Sequence, residues 1–220
     1  NTWLSNERQE WLLGDPGGTQ LLNLGNPEAR QWLTDHVDFV LNAQGIDLYR
    51  QDFNMDPLAY WRANDAPDRQ GIMEIRHVEG SLAYWDELRR RHPDMLIDSC
   101  DSGGRRNDLE TLRRAVPLLR SDWLLEPVSQ QGHTYGIAHW YPYWGTGVNS
   151  SDAYLHRSVL CPWMILCYDV RREDVDYASV RRLFEQWREV APDVMQGDYY
   201  PITSWSLAPD VWMAWQFDRP

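Results

Sequence analysis

Lysine is absent: all 21 basic residues are arginine, which excludes Schiff-base chemistry within this chain. Cysteine is scarce. Cys100, Cys161 and Cys167 form an odd, widely spaced set that fits neither a disulfide framework nor a zinc site. They read as reduced thiols, two of them in core positions. No apolar run approaches the ~20 residues of a membrane-spanning helix, and no basic start followed by an apolar stretch marks a signal segment. These features favour a cytoplasmic over a secreted setting. Positive charge is also in short supply. With 33 acidic residues, the net charge is -12; such a chain repels phosphate backbones, so nucleic acid is not expected as a partner. His133 and His139 could ligate a metal, but no second pair of ligands accompanies them.

What is present is aromatic. The 220 residues hold 13 Trp and 11 Tyr against 4 Phe. The flat face of tryptophan covers the apolar C–H face of a pyranose. A tryptophan-rich core is the simpler use, and most of the 13 are assigned to it. The length suits one domain with a sizeable core.

The order of elements is repetitive. Asn26-Pro27 is a strong helix start, with apolar residues from Trp32 to Leu41 at helical spacing and Gly45 as the stop. Ile46–Tyr49 reads as a strand, followed by Arg50-Gln51-Asp52-Phe53-Asn54. A helix is expected from Gly71 to Arg91, then a strand at Met95–Ile97 that ends in Ser99–Asp108. A third helix carries Leu109, Leu112 and Val116, and a short strand Leu118–Arg120 ends at Ser121-Asp122-Trp123. Residues 132–147, with His133, Tyr135, His139, Trp140, Tyr141, Tyr143 and Trp144, read as a long loop, in which Trp140 is the candidate sugar-stacking platform. A helix with Tyr154, Leu155 and Val159, a buried strand at Pro162–Tyr168 and an amphipathic helix from Val175 to Val190 follow. From Gly197 the pattern turns to β, at Tyr199–Pro201 and Val211–Phe217. Strand, polar loop and helix in alternation imply parallel strands with crossover helices, and an active site just after the strands.

Two carboxylates stand at such positions, Asp52 and Asp122. Glycoside hydrolysis needs a facing pair, one to attack or to activate water and one to protonate the leaving oxygen. The alternative is a pair of strand-end carboxylates that cap helices or bind arginine. Ser102-Gly103-Gly104 could cradle a phosphate, though it lacks the P-loop ending, or it could allow close backbone approach to a neutral ligand.

Three ordered motifs carry a resemblance. Arg50-Gln51-Asp52-Phe53-Asn54 resembles the Lys-Trp-Asp-Met-Asn motif of glycoside hydrolase family 36, the α-galactosidases or melibiases. Ser99–Asp108 is similar to that family's Ser-Cys-Ala-Ser-Gly-Gly-Gly-Arg-x-Asp, and Ser121-Asp122 to its Ser-Asp-Asn. The stretch Leu22–Arg30 resembles the segment leading to the same helix. The resemblance implies that Asp52 is the nucleophile and Asp122 the general acid/base of a retaining hydrolase. It also implies that Arg50 and Asn54 contact the sugar, that Cys100 and Gly103 line the subsite for the C2 group, and that Arg106 and Asp108 give structural support. Here Arg50 stands for the family lysine, Gln51 for tryptophan, Asp101 for alanine, Arg105 for the third glycine and Trp123 for asparagine. Arginine is planar and bulkier than lysine, so hydroxyl contacts must be rearranged.

The implied fold is α/β, a (β/α)₈ TIM-type barrel of which the later strands are present: residues 1–196 as part of the barrel and 197–220 as the start of a C-terminal β domain. The family's first strands, with an Asp-Asp pair and a sugar-binding Trp, have no match in the chain. The implied activity is removal of terminal α-galactosyl residues, with no cofactor or metal, since carboxylates and water suffice. An α-N-acetylgalactosaminidase, a degenerate sugar-binding protein and a related α-glycosidase or transglycosidase are the alternatives. An α-galactoside-type carbohydrate is the expected partner, no membrane is, and a homo-oligomer is compatible with the family.

Overall fold

The computed structural model describes residues 2–140 and 143–219; Tyr141 of the aromatic stretch lies outside them. The helices and strands run in the order α1 (Trp3–Glu7), β1 (Leu12–Leu13), β2 (Leu21–Leu22), α2 (Pro27–Gln44), β3 (Leu48–Asp52), α3 (Leu58–Asn64), α4 (Ile72–Arg91), β4 (Leu96–Cys100), α5 (Leu109–Leu112), α6 (Pro127–Ile137), β5 (Gly145–Val148), α7 (Ala153–Ser158), β6 (Trp163–Leu166), α8 (Tyr177–Gln196), β7 (Asp198–Pro201) and β8 (Trp215–Asp218). Two compact units divide the chain. One holds the residues up to Ile97 with Asp108–Ala115; the other holds Asp98–Asn107 and the residues from Val116 onward.

In the first unit, local chemistry sets the helix ends. The Asn26 side chain accepts from the N–H groups of Glu28 and Ala29, and Pro27 opens α2. Gly45 ends it in the left-handed conformation, at φ 63°, which glycine adopts without steric cost. Helix α4, strand β4 and Met95 just before it supply the core: Tyr84, Trp85, Leu88, Met95 and Ile97 bury against Leu41 of α2 and Ala115. β3 is tied to the start of β4 through Leu96 N–H to Asp47 O, 3.1 Å. A smaller cluster joins Leu13, Leu21 and Trp61. Asp108 caps α5 through the Thr111 N–H and hydroxyl. Burial pushes its carboxyl up, but these bonds together bring it below the usual value.

The second unit shows the parallel arrangement. β5 pairs with β6 in parallel, from Gly145 opposite Trp163 to Val148 opposite Leu166. The Ser99 N–H donates to Val116 O, the Gly145 N–H to Pro117 O and the Arg120 N–H to Gly145 O. Residues 116–120 therefore occupy a strand's place between the end of β4 and β5. The strand expected at Leu118–Arg120 does not form; only a parallel bridge between Asp98 and Val116 does. A contact distant in sequence accompanies this: the Leu118 N–H donates to the Asp98 side chain, 3.0 Å, instead of to a neighbouring carbonyl. Trp144, Val148, Val159, Cys161 and Met164 form the core, covered by Phe184 and Trp187 of α8. β7 and β8 form an antiparallel hairpin.

Several expectations are corrected. Residues 127–137, in part assigned to a loop, form α6: Glu126 accepts from the N–H groups of Val128 and Ser129, and Pro127 sits at the first position. Val116 is not helical. The strand at residues 163–166 is only partly buried, with Trp163 and Leu166 exposed. The tryptophans are not mainly core residues: Trp11, Trp61, Trp85 and Trp144 are buried, while Trp3, Trp123, Trp140, Trp163, Trp205 and Trp212 are exposed. Cys100 and Cys161 are buried free thiols, as expected.

Candidate active site

Asp52 closes β3, and side-chain direction alternates along it. Arg50, Asp52 and Asn54 are exposed, whereas Tyr49, Gln51 and Phe53 are partly buried. Strand periodicity thus puts Arg50 and Asp52 on one face, and Asn54 follows two residues after the strand end. The opposite face is anchored: Tyr49 Oη and Tyr84 Oη share a hydrogen bond of 2.8 Å, and the buried Trp85 Nε1–H donates to Gln51 Oε1 at 2.6 Å. Gln51, which departs from the family tryptophan, serves as an acceptor for a core indole.

Asp122 sits on the irregular segment that follows residues 116–120 in the second unit. The Ser121 hydroxyl accepts the Trp123 N–H at 3.1 Å, forming a tight turn around it. Gly103 packs on the same residue. A Cβ at Gly103 would fall 2.6 Å from both Asp122 Cγ and the Asp122 backbone nitrogen, and at Gly104 it would meet Arg120 O at 2.3 Å. Gly103 has φ 76° and Gly104 φ 102°. Both the left-handed backbone and the close approach demand glycine here. The glycine run therefore serves close packing against residues 120–122, and the same motif that carries Cys100 and Gly103 is built against Asp122. Cys100 is buried at the end of β4. The substituted Asp101 accepts from Arg106 Nε at 3.0 Å, so this departure finds its partner in the motif's own arginine.

Trp140 lies beyond the C-terminal end of α6 and is 75% exposed. The eleven residues of α6, roughly 16 Å of helix, come between it and the Asp122 turn. Among the described residues, no group of three or more His, Cys, Asp or Glu could hold a metal ion. His139 instead packs edge-on against Tyr199, with ring centroids 4.7 Å apart. Burial and the nearby Arg120 push His133 below the ordinary histidine range. No helix among the described residues is long and apolar enough to cross a membrane.

The site also contains residues that motif reading missed. Arg120 and Gln130 are fully buried. Arg120 Nη2 donates to Gln130 O (3.0 Å), Gln130 Oε1 (2.8 Å) and Thr134 Oγ1 (2.9 Å). The one available signal was an arginine placed directly between an apolar run and Ser121-Asp122.

Comparison with known proteins places the chain in a family. The Melibiase family model matches residues 9–157. Alpha-galactosidase 1 of Pediococcus pentosaceus is 24% identical over 99% of this chain and 32% of its own length. An alpha-galactosidase of Escherichia coli is 31% identical over 51% of this chain and 16% of its own. Among solved structures, the GH36 alpha-galactosidase AgaA of Geobacillus stearothermophilus, in complex with stachyose, superposes with a TM-score of 0.80 at 20% identity, covering 93% of this chain and 31% of AgaA. The alpha-galactosidase of Lactobacillus brevis gives 0.78 at 18% identity, covering 92% and 30%. The chain thus spans about a third or less of these relatives. Its fold class is the one expected, α/β, with part of a TIM-type barrel and the start of a β domain. With more than half of its residues matched by the family model, this chain belongs to the melibiase family.

Proposed function

We propose that the protein carrying this chain is a retaining exo-glycosidase that removes terminal α-D-galactosyl residues from oligosaccharides or glycoconjugates. The observation that carries this reading is the melibiase match across residues 9–157, a span that includes Asp52 and Asp122. Relatives named alpha-galactosidases, and the stachyose complex of the Geobacillus protein, support the galactoside class.

In the first step an Asp52 oxygen attacks the anomeric carbon as the glycosidic C–O bond breaks, and Asp122 delivers its proton to the departing oxygen. In the second step Asp122 takes a proton from water, whose oxygen attacks the same carbon and frees Asp52. Inversion at each step gives overall retention. Arg50, on the Asp52 face of β3, and Asn54, just beyond the strand, are assigned to the sugar hydroxyls, with Cys100 and Gly103 at the C2 group. Trp140 is assigned to stacking on a more distant sugar unit, as its place beyond α6 suits.

The test is release of nitrophenol from aryl α-galactoside, α-N-acetylgalactosaminide and α-glucoside by the protein and by its Asp52→Asn variant. Turnover of the galactoside that is lost in the variant supports the reading. Undiminished turnover by Asp52→Asn overturns the assignment, and galactose binding with no turnover would leave a sugar-binding protein instead.

A further inference from the structure

The Asp122 turn contains few regular backbone bonds, yet a proton-transferring carboxylate must be held within a fraction of an ångström of its working position. The side chain of Gln130 reaches both ends of that turn. Its Oε1 accepts from Arg120 Nη2 at 2.8 Å and from the Thr146 hydroxyl at 2.7 Å. Its Nε2 donates to the backbone carbonyl of Trp123. The residues on either side of Ser121-Asp122 are thus fixed to a single buried amide on α6.

The chemistry of the partners fixes the orientation of this amide. Arginine can only donate, so the amide oxygen must face Arg120; a carbonyl can only accept, so the NH₂ must face Trp123. Turned by half a rotation, the amide would set donor against donor and acceptor against acceptor. Thr146 completes the oxygen's two lone pairs and ties the amide to β5. Arg120 is held further by Thr134. Arg120, Gln130, Thr134 and Thr146 are all fully buried.

We propose that Gln130 is a positioning residue for proton transfer at Asp122: it brackets the turn so that the carboxyl meets the leaving oxygen. This inference rests on Asp122 being the general acid/base. The sequence around Gln130 carries no catalytic motif, and the role follows only from these contacts.

The experiment compares kcat/KM, which reports the first chemical step, on two galactosides. One is methyl α-galactoside, whose leaving oxygen needs a proton. The other is dinitrophenyl α-galactoside, whose leaving group departs without one. Gln130→Glu keeps the acceptor toward Arg120 and Thr146 and pairs with the buried guanidinium, so folding is retained; it sets an oxygen against the Trp123 carbonyl and opens the clamp. Its kcat/KM for the methyl galactoside is expected to fall about 10- to 100-fold, with the dinitrophenyl value near that of the parent. Gln130→Met, which loses both sides of the clamp, should show the same selectivity. Equal effects on both substrates, or no effect in a folded variant, would overturn the proposal. So would failure of Gln130→Glu to fold, which would assign the amide to stability instead. Asp122→Asn separates this from the underlying reading: if it lacks the same selectivity, the assignment of Asp122 itself fails.

Discussion

Asp52 and Asp122 each follow a short apolar run, yet the two carboxylates are held by different means. Asp52 ends a regular strand whose inward residues, Tyr49 and Gln51, are pinned to Tyr84 and Trp85 of a helix. Asp122 ends a segment in which a backbone bond is replaced by the Asp98 side chain. Its geometry comes from side chains and from the glycines that let a loop lie against it. A nucleophile needs a fixed line of attack, which a strand end provides. On the proposed reading Asp122 serves two steps in opposite senses; its side chain is exposed, and the contacts that hold the turn act on the flanking residues Arg120 and Trp123. Disruption of the anchors behind the first carboxylate should therefore show in stability as much as in activity, and disruption of the contacts around the second mainly in activity.

Short of removing a carboxylate itself, the largest effect is expected from Gly103→Ala. A Cβ there meets Asp122 at 2.6 Å on a backbone that favours glycine, so the carboxyl must shift. A displacement of about 1 Å costs on the order of 100-fold in turnover. Nitrophenyl α-galactoside kinetics check this; a variant within a few-fold of the parent would remove the contrast. Next, Trp85→Phe deletes the donor to the partly buried Gln51 Oε1 and should cost about 2 kcal/mol of stability. Chemical denaturation reads this, and activity measured under folding conditions should change less than for Gly103→Ala.

The pH response should separate the two units. Burial, with Arg120 nearby, lowers His133, and burial, with Arg157 nearby, lowers His156. A group lowered in the folded state gives full stability above its unfolded value, here about 6.5, and loses it as pH falls below that value. In the first unit Asp108 is also lowered, but its contribution is lost only as pH falls below the usual aspartate range near 3.9. Hydrogen exchange between pH 7 and 5 should show α6 and α7 loosening before α5; the reverse order would contradict this. The smallest effect concerns Cys161. Full burial raises its thiol to about 11, so it should resist thiol reagents at neutral pH, while the partly exposed Cys167 reacts sooner. Mass spectrometry of the modified peptides distinguishes them.

What was legible in the sequence was local. Asn26-Pro27 and Gly45 bound α2 at the expected residues because caps act over three or four positions. The order of strand, polar turn and helix placed Asp52 and Asp122 after their apolar runs. Long-range contacts were not legible. Leu118–Arg120 has strand composition, but whether its N–H meets a carbonyl or the Asp98 carboxylate depends on a residue twenty positions away. Gly132 and Gly136 made α6 look like a loop, although Glu126 and Pro127 mark a helix start. Gln130 and Trp85 carry no motif, because their roles are defined by the partners that the fold brings to them.

The central claim is that Asp52 attacks the sugar while Asp122 manages the protons. The most direct test uses a fluorinated galactosyl fluoride that glycosylates the protein quickly and is released slowly, followed by peptide mass spectrometry. The expected result is a galactosyl ester on the peptide containing Asp52, also formed by Asp122→Asn and absent from Asp52→Asn. A label on another carboxylate, or none despite turnover of galactosides, would contradict the assignment.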